Sequence, residues 1–241
     1  MSLSNPRQVN PASKFIEWSG SIGQFYYYDK SSEADDKNVF IKEPIYVVPI
    51  DQLATIKGFH KQSKSGVYSN EVKNTLKDKL IVRSFKGGSI ITGLYSEIKG
   101  NLEGGKYAKS MYAVMITGDK NNSQLELVNI SFYGSSLGSF IDAKINIDSG
   151  CILSLEPSTE ELINGATTYF APKIIKYKMR RDILDRCIEI DEQLQAYLKE
   201  YLNKPIDEET DTPDKISITE NEYKVEDTEG GSFDEDDDLP F

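Results

Sequence analysis

Lys79-Leu80-Ile81-Val82-Arg83-Ser84-Phe85-Lys86-Gly87-Gly88-Ser89-Ile90-Ile91-Thr92 is the stretch that decides the fold class. Two runs of Ile, Val and Phe flank a Lys-Gly-Gly turn, and glycine supplies the backbone freedom a tight hairpin needs. The pattern predicts strands over Lys79 to Phe85 and Ser89 to Ile98. Within the first strand, alternation puts Arg83 and Phe85 on one face, a cation beside an aromatic ring.

Working outward, the same grammar repeats. Apolar runs over Phe15 to Tyr28, Val39 to Pro49, Leu53 to His60, Tyr107 to Thr117, Gln124 to Tyr133 and Cys151 to Leu155 are cut by Gly, Asn and Asp turns. That spacing predicts an antiparallel β domain over residues 14–178, preceded by a loose arm over 1–13. Ser135 to Ala143 reads as a short helix. Thr167 to Lys178 reads as an edge strand, because Pro172 lacks a ladder donor. Lys61 to Asn74, polar and basic, reads as a long mobile loop. A helix is predicted over residues 179–203, where Ile183, Cys187, Ile190, Leu194, Tyr197 and Tyr201 form an apolar stripe at alternating spacings of four and three. Packing on the β domain is favoured over self-association, though oligomerisation through this helix stays open.

Enzyme signatures are scarce. His60 is the only histidine, which leaves His-based triads and His-rich zinc sites little to work with. Gly100-Asn101-Leu102-Glu103-Gly104-Gly105-Lys106-Tyr107 satisfies part of a P-loop pattern. It puts Tyr107 where magnesium needs Ser or Thr, and a strand-like run follows where the phosphates need a helix. The acidic loop Asp29 to Asp36 reads as a solvated hairpin tip rather than a metal site. The expectation is a protein without catalysis, cofactor or metal.

Charge divides the chain. The formal net charge is -11, but residues 203–241 hold 15 acids against 3 lysines, while residues 57–109 hold 11 Lys and Arg against 4 acids. A basic patch is thus tethered to an acidic tail, and such a tail competes with polyanions for the patch. No apolar run approaches the roughly 18 residues a membrane helix needs. The N-terminus is polar, and Cys151 and Cys187 read as inert thiols, so a cytoplasmic location is expected.

The tail closes on Asp234-Glu235-Asp236-Asp237-Asp238-Leu239-Pro240-Phe241. Five successive carboxylates cannot collapse into a core, so residues 204–241 read as a disordered acidic segment. An exposed Phe at its end contributes nothing to the segment's own stability, but it suits a basic-rimmed apolar pocket on a partner. This ending resembles that of bacterial and phage single-stranded-DNA-binding proteins, with Asp236, Asp237, Asp238, Leu239, Pro240 and Phe241 matching the family's terminal motif. The resemblance implies an OB-fold body that coats single-stranded DNA and a terminal Phe that docks on replication and repair proteins. The longer body and late helix look more like a phage or mobile-element version.

Single-stranded nucleic acid asks for rings to stack on bases and cations to hold phosphates. The body interleaves the two, and the candidate DNA-binding residues are Trp18, Tyr26, Tyr28, Phe59, Lys61, Lys64, Tyr68, Arg83, Phe85, Lys86, Lys99, Lys106, Tyr107 and Lys109. Tyr26 and Tyr28 share one strand face, opposite Phe25 and Tyr27. The resulting expectation is a mainly β, OB-type antiparallel barrel with insertions, a C-terminal helix and an acidic tail. Its function would be to bind single-stranded DNA without sequence preference in replication, recombination or repair. The alternative is a protein-interaction factor or acidic DNA mimic that inhibits a nucleic-acid enzyme.

Overall fold

Alternation of buried and open positions governs the strands, and glycine turns set their ends. The computed structural model describes residues 9–32, 37–118, 123–147, 150–179 and 181–203. The strands are β1 (Lys14–Ser19), β2 (Gln24–Tyr28), β3 (Asn38–Ile41), β4 (Ile45–His60), β5 (Ser65–Ser69), β6 (Leu80–Ser84), β7 (Ser89–Gly93), β8 (Gly105–Thr117), β9 (Gln124–Tyr133), β10 (Cys151–Glu156), β11 (Leu162–Asn164), β12 (Thr167–Tyr169) and β13 (Lys173–Lys178). Among the described residues three α-helices interrupt them: α1 (Tyr95–Ile98), α2 (Ser135–Asp142) and α3 (Arg181–Asn203).

One sheet carries most of the protein, in the order β3-β2-β1-β9-β8-β4-β5-β6-β7, with β10 and β13 joined to the first part of β4. Among the described residues its pairings are antiparallel except β1 with β9, where Ile16 lies opposite Ile130. The molecule is therefore mainly β with a mixed sheet and a C-terminal helix, and among the described residues the sheet does not close. The expected OB barrel is not what these pairings draw.

β4 is the spine. Its register against β8 slips between Pro49 and Asp51, a bulge at the one place a central strand tolerates proline. The slip exchanges the faces of odd and even residues. Val47 before it enters a core with Met111, Ala113, Val128, Ile130 and Phe132. Ala54 and Ile56 after it enter a second core with Val67, Leu80 and Val82. Ile183, Cys187, Leu194 and Leu198 of α3 bury against the opposite face, over Val48, Leu53, Tyr112 and Val114. The apolar stripe of the helix is thus spent on the sheet. Leu184 and Ile188 remain exposed beside it.

Several sequence expectations need correction. The run Phe15 to Tyr28 is two strands, because the chain reverses at Gly20 to Gly23. Gly23 has φ 76°, and a Cβ there would lie 2.2 Å from the Ser158 carbonyl oxygen, so only glycine fits. The loop expected over Lys61 to Asn74 contains β5, which pairs β4 and β6, and Val72 bridges Ala54. Ser89 to Ile98 is a strand and then a helix, because Ile98 turns inward to cap the second core. Thr167 to Lys178 splits into β12 and β13 on either side of the buried Pro172. The arm over residues 1–13 is described from Val9 onward, and there Asn10 donates to the Tyr112 hydroxyl at 2.9 Å. The acidic tail, 204–241, lies outside the described residues.

Candidate nucleic-acid interface

Cross-strand register assembles a continuous surface on the face opposite the two cores. On one side Glu17 pairs with Tyr26, and Tyr26 with Phe40. On the other, Lys57 lies between Lys106 and Tyr68, and Tyr68 lies opposite Arg83. The strands between these two sides present Ala108, Ser110 and Ser131, all small and buried.

This face is concave. Lys57 on β4 forms an ion pair with Glu17 on β1, although β8 and β9 lie between them. Three strand spacings span about 14 Å in a flat sheet, so the sheet must curl toward this face for the pair to meet. The small side chains in the middle, Ala108, Ser110 and Ser131, are covered rather than open to solvent. The result is a trough whose floor is closed by the nearly buried Glu17–Lys57 pair, with an aromatic pair on each wall. Tyr26 and Phe40 have ring centroids 5.5 Å apart on the first wall, and Tyr68 and Phe85 are 4.9 Å apart on the second. All four rings are half-buried, as walls open to solvent on one side would be.

Glu17 is the electrostatic centre. One carboxylate oxygen takes the Lys57 ammonium, and the other accepts from the Tyr26 hydroxyl at 3.2 Å and the Tyr133 hydroxyl at 3.1 Å. Burial pushes its carboxyl up, but the Lys57 charge and the hydrogen bonds from Lys57, Tyr133 and Tyr26 outweigh that, and its pKa falls below the ordinary value. Glu17 is charged and satisfied.

Cations ring the end of the trough where β4 terminates. Lys61 and Lys64 sit in the exposed β4–β5 turn, Lys86 in the exposed β6–β7 turn, and exposed Lys106 begins β8. The two turns are tied together, since Lys86 donates to the Lys64 carbonyl at 3.1 Å.

The ten other sequence candidates divide cleanly. Tyr26, Tyr28, Phe59, Tyr68, Arg83 and Phe85 fall on the trough face by register or ring contact. Trp18 does not. It is 5% exposed in the first core, edge-on to Phe25, and its indole N–H donates to the Phe170 carbonyl at 3.0 Å. The expectation of a stacking Trp18 is thus corrected, because parity with Ile16 turns it inward. Tyr107 likewise enters the second core, where burial and neighbouring Tyr95 push its phenol up to about 12. Lys109 shares that inward face, its ammonium 5.7 Å from the Tyr107 ring centroid, and burial lowers its pKa. Lys99 is exposed, on the turn that follows α1 over the second core, away from the trough.

Sequence reasoning missed Glu17, Phe40, Lys57 and Tyr133. The signal for the first and third was present: a charge at the alternate position of an apolar strand, between Ile16 and Trp18 and between Ile56 and Gly58. No group of three or more metal-ligating side chains occurs among the described residues. The partner-binding candidates Asp236, Asp237, Asp238, Leu239, Pro240 and Phe241 lie outside them. Comparison with protein-family models, with curated proteins and with solved structures finds no match.

Proposed function

We propose that this protein binds single-stranded DNA without sequence preference, in an OB-like manner on the concave face of an opened sheet, and recruits replication or repair proteins through its acidic C-terminal tip. The observation that carries the reading is the trough, with ring pairs on two facing walls and lysines clustered at its mouth. Rings on both sides can stack on successive bases whatever their identity, and the lysines can neutralise phosphates. The terminal motif adds the second half of the reading: a ring and carboxylate at Phe241 for a pocket, with Asp236 to Asp238 to steer them.

Titration of the full chain with fluorescent oligo-dT over a salt series tests it. Binding should weaken with salt at a slope of about -0.7 in log K per phosphate neutralised. No binding, or binding indifferent to salt, overturns the reading.

A further inference from the structure

The oddity of the trough is its carboxylate. A surface for a polyanion carries Glu17 at its centre, 7% exposed and spanning four strands through Lys57, Tyr26 and Tyr133. Fold stability does not require such a pair, since buried ion pairs replaced by well-packed apolar residues often leave stability unchanged or improved. What the pair does supply is a particular electrostatic floor.

Without Glu17, the Lys57 ammonium would stand uncompensated at the deepest point of the trough, in surroundings that magnify its field. A phosphate would settle there. The backbone of the strand would then run along the floor, and its bases would face solvent, away from the Tyr26–Phe40 and Tyr68–Phe85 pairs. With Glu17 in place the floor carries no net charge. The Tyr26 and Tyr133 hydroxyls are tied to one carboxylate, which fixes both rings. The exposed cations are then those at the mouth, on the β4–β5 and β6–β7 turns and at the start of β8, while Arg83 beside Tyr68 is half-buried.

We infer that Glu17 is a positioning residue that sets the orientation of the bound strand: bases into the trough against the ring pairs, phosphates outward to Lys61, Lys64, Lys86 and Lys106. The inference rests on the single-stranded-DNA reading and specifies how that ligand lies.

The test compares full-length wild type with Glu17→Gln, using oligo-dT and an abasic deoxyribose-phosphate oligomer of equal length. Glutamine keeps an acceptor for the tyrosines and removes the charge that holds Lys57. Wild type should prefer oligo-dT over the abasic strand by at least about tenfold, the effect of one stacked base. The Glu17→Gln protein should lose most of that preference. Its salt slope should steepen by about 0.7, because Lys57 becomes a phosphate site. The double variant Glu17→Gln, Lys57→Gln restores a neutral floor and should return both readouts to wild-type values. If Glu17 merely braces the fold, Glu17→Gln lowers the melting temperature and weakens both ligands alike, with slope and preference unchanged, and the inference fails. Should Glu17→Gln not fold, Lys57→Met serves: it leaves Glu17 unpaired on the floor and should weaken oligo-dT by more than about tenfold. Unchanged affinity there overturns the inference. A wild type that binds neither strand removes the function and the inference together, whereas a wild type that binds while Glu17→Gln behaves identically removes the inference alone.

Discussion

The face of β4 and β8 turned away from the two cores has a covered end and an open end. At the covered end, Val48, Leu53, Tyr112 and Val114 lie under α3, sealed by Ile183, Cys187, Leu194 and Leu198. At the open end the same strands present exposed Lys106 beside the nearly buried Lys57 and Ala108, flanked by rings from neighbouring strands. The border between them is a polar seam. Glu71 accepts from Ser110 and, at 2.8 Å, from Tyr112, Asn129 donates to Ser110 at 2.7 Å, and the Glu71 amide donates to the Tyr201 hydroxyl at 2.9 Å. The tip of the helix and the start of the trough are thus bolted to one residue, Glu71, the first through its backbone amide and the second through its carboxylate. Strand geometry is the same in both halves; side-chain size and charge alone decide which half becomes core and which becomes surface.

The sharpest way to break the comparison is at the covered end. Leu194→Ala should cost roughly 2–5 kcal/mol by urea melting, since a fully buried leucine leaves a cavity between helix and sheet. A loss below about 1 kcal/mol would mean that α3 does not seal that face. Next comes the seam. Glu71→Ala leaves the Ser110 and Tyr112 hydroxyls without their acceptor, at a cost of roughly 1–3 kcal/mol. At the open end the effect should move from folding to binding. Tyr68→Ala should weaken oligo-dT binding by roughly 1–3 kcal/mol while barely shifting the melt. Equal damage to melt and binding would erase the distinction between the two halves.

Acidification gives a smaller and more specific signature. The Glu17 carboxyl has a folded pKa below its ordinary 4.5, so its pairing stabilises the fold above that value, and the contribution is lost as pH falls through the folded pKa. Wild type should therefore lose stability on acidification below about 4.5 more steeply than Glu17→Gln, measured by urea melts at matched ionic strength. The smallest expected effect is on Trp18. Because its ring is buried in the first core, oligo-dT should quench tyrosine emission and leave selectively excited tryptophan emission nearly unchanged. Strong tryptophan quenching would place the ligand elsewhere.

What was legible in the sequence was whatever depended on neighbours along the chain. The Lys79 to Ser89 hairpin, the short helix at Ser135, β10 and the long helix follow from turn residues and period. So does the sharing of a face by Tyr26 and Tyr28. The choice of face was not legible, because period 2 distinguishes two faces without saying which one a later element covers. Trp18 looked like a stacking residue for that reason, and it became core because β1 inserts beside β9, more than a hundred residues away. The Pro49 bulge hid the same information in β4, since it reverses parity halfway along one strand. Lys57 met Glu17 only through curvature, which no local pattern records.

The parallel pairing of β1 with β9 also orders events in time. β4 through β7 are linked by successive hairpins, so that part of the sheet can assemble from contacts close in sequence. β1 can pair with β2 early, but it has no place in the sheet until residues 124–133 have been synthesised and β9 has formed. On a ribosome, the Tyr26 wall therefore waits as a detached ribbon while the Tyr68 wall already stands. The Glu17–Lys57 contact joins the two walls, so a nascent chain completes this face only once β9 has been made, a little past halfway along its 241 residues.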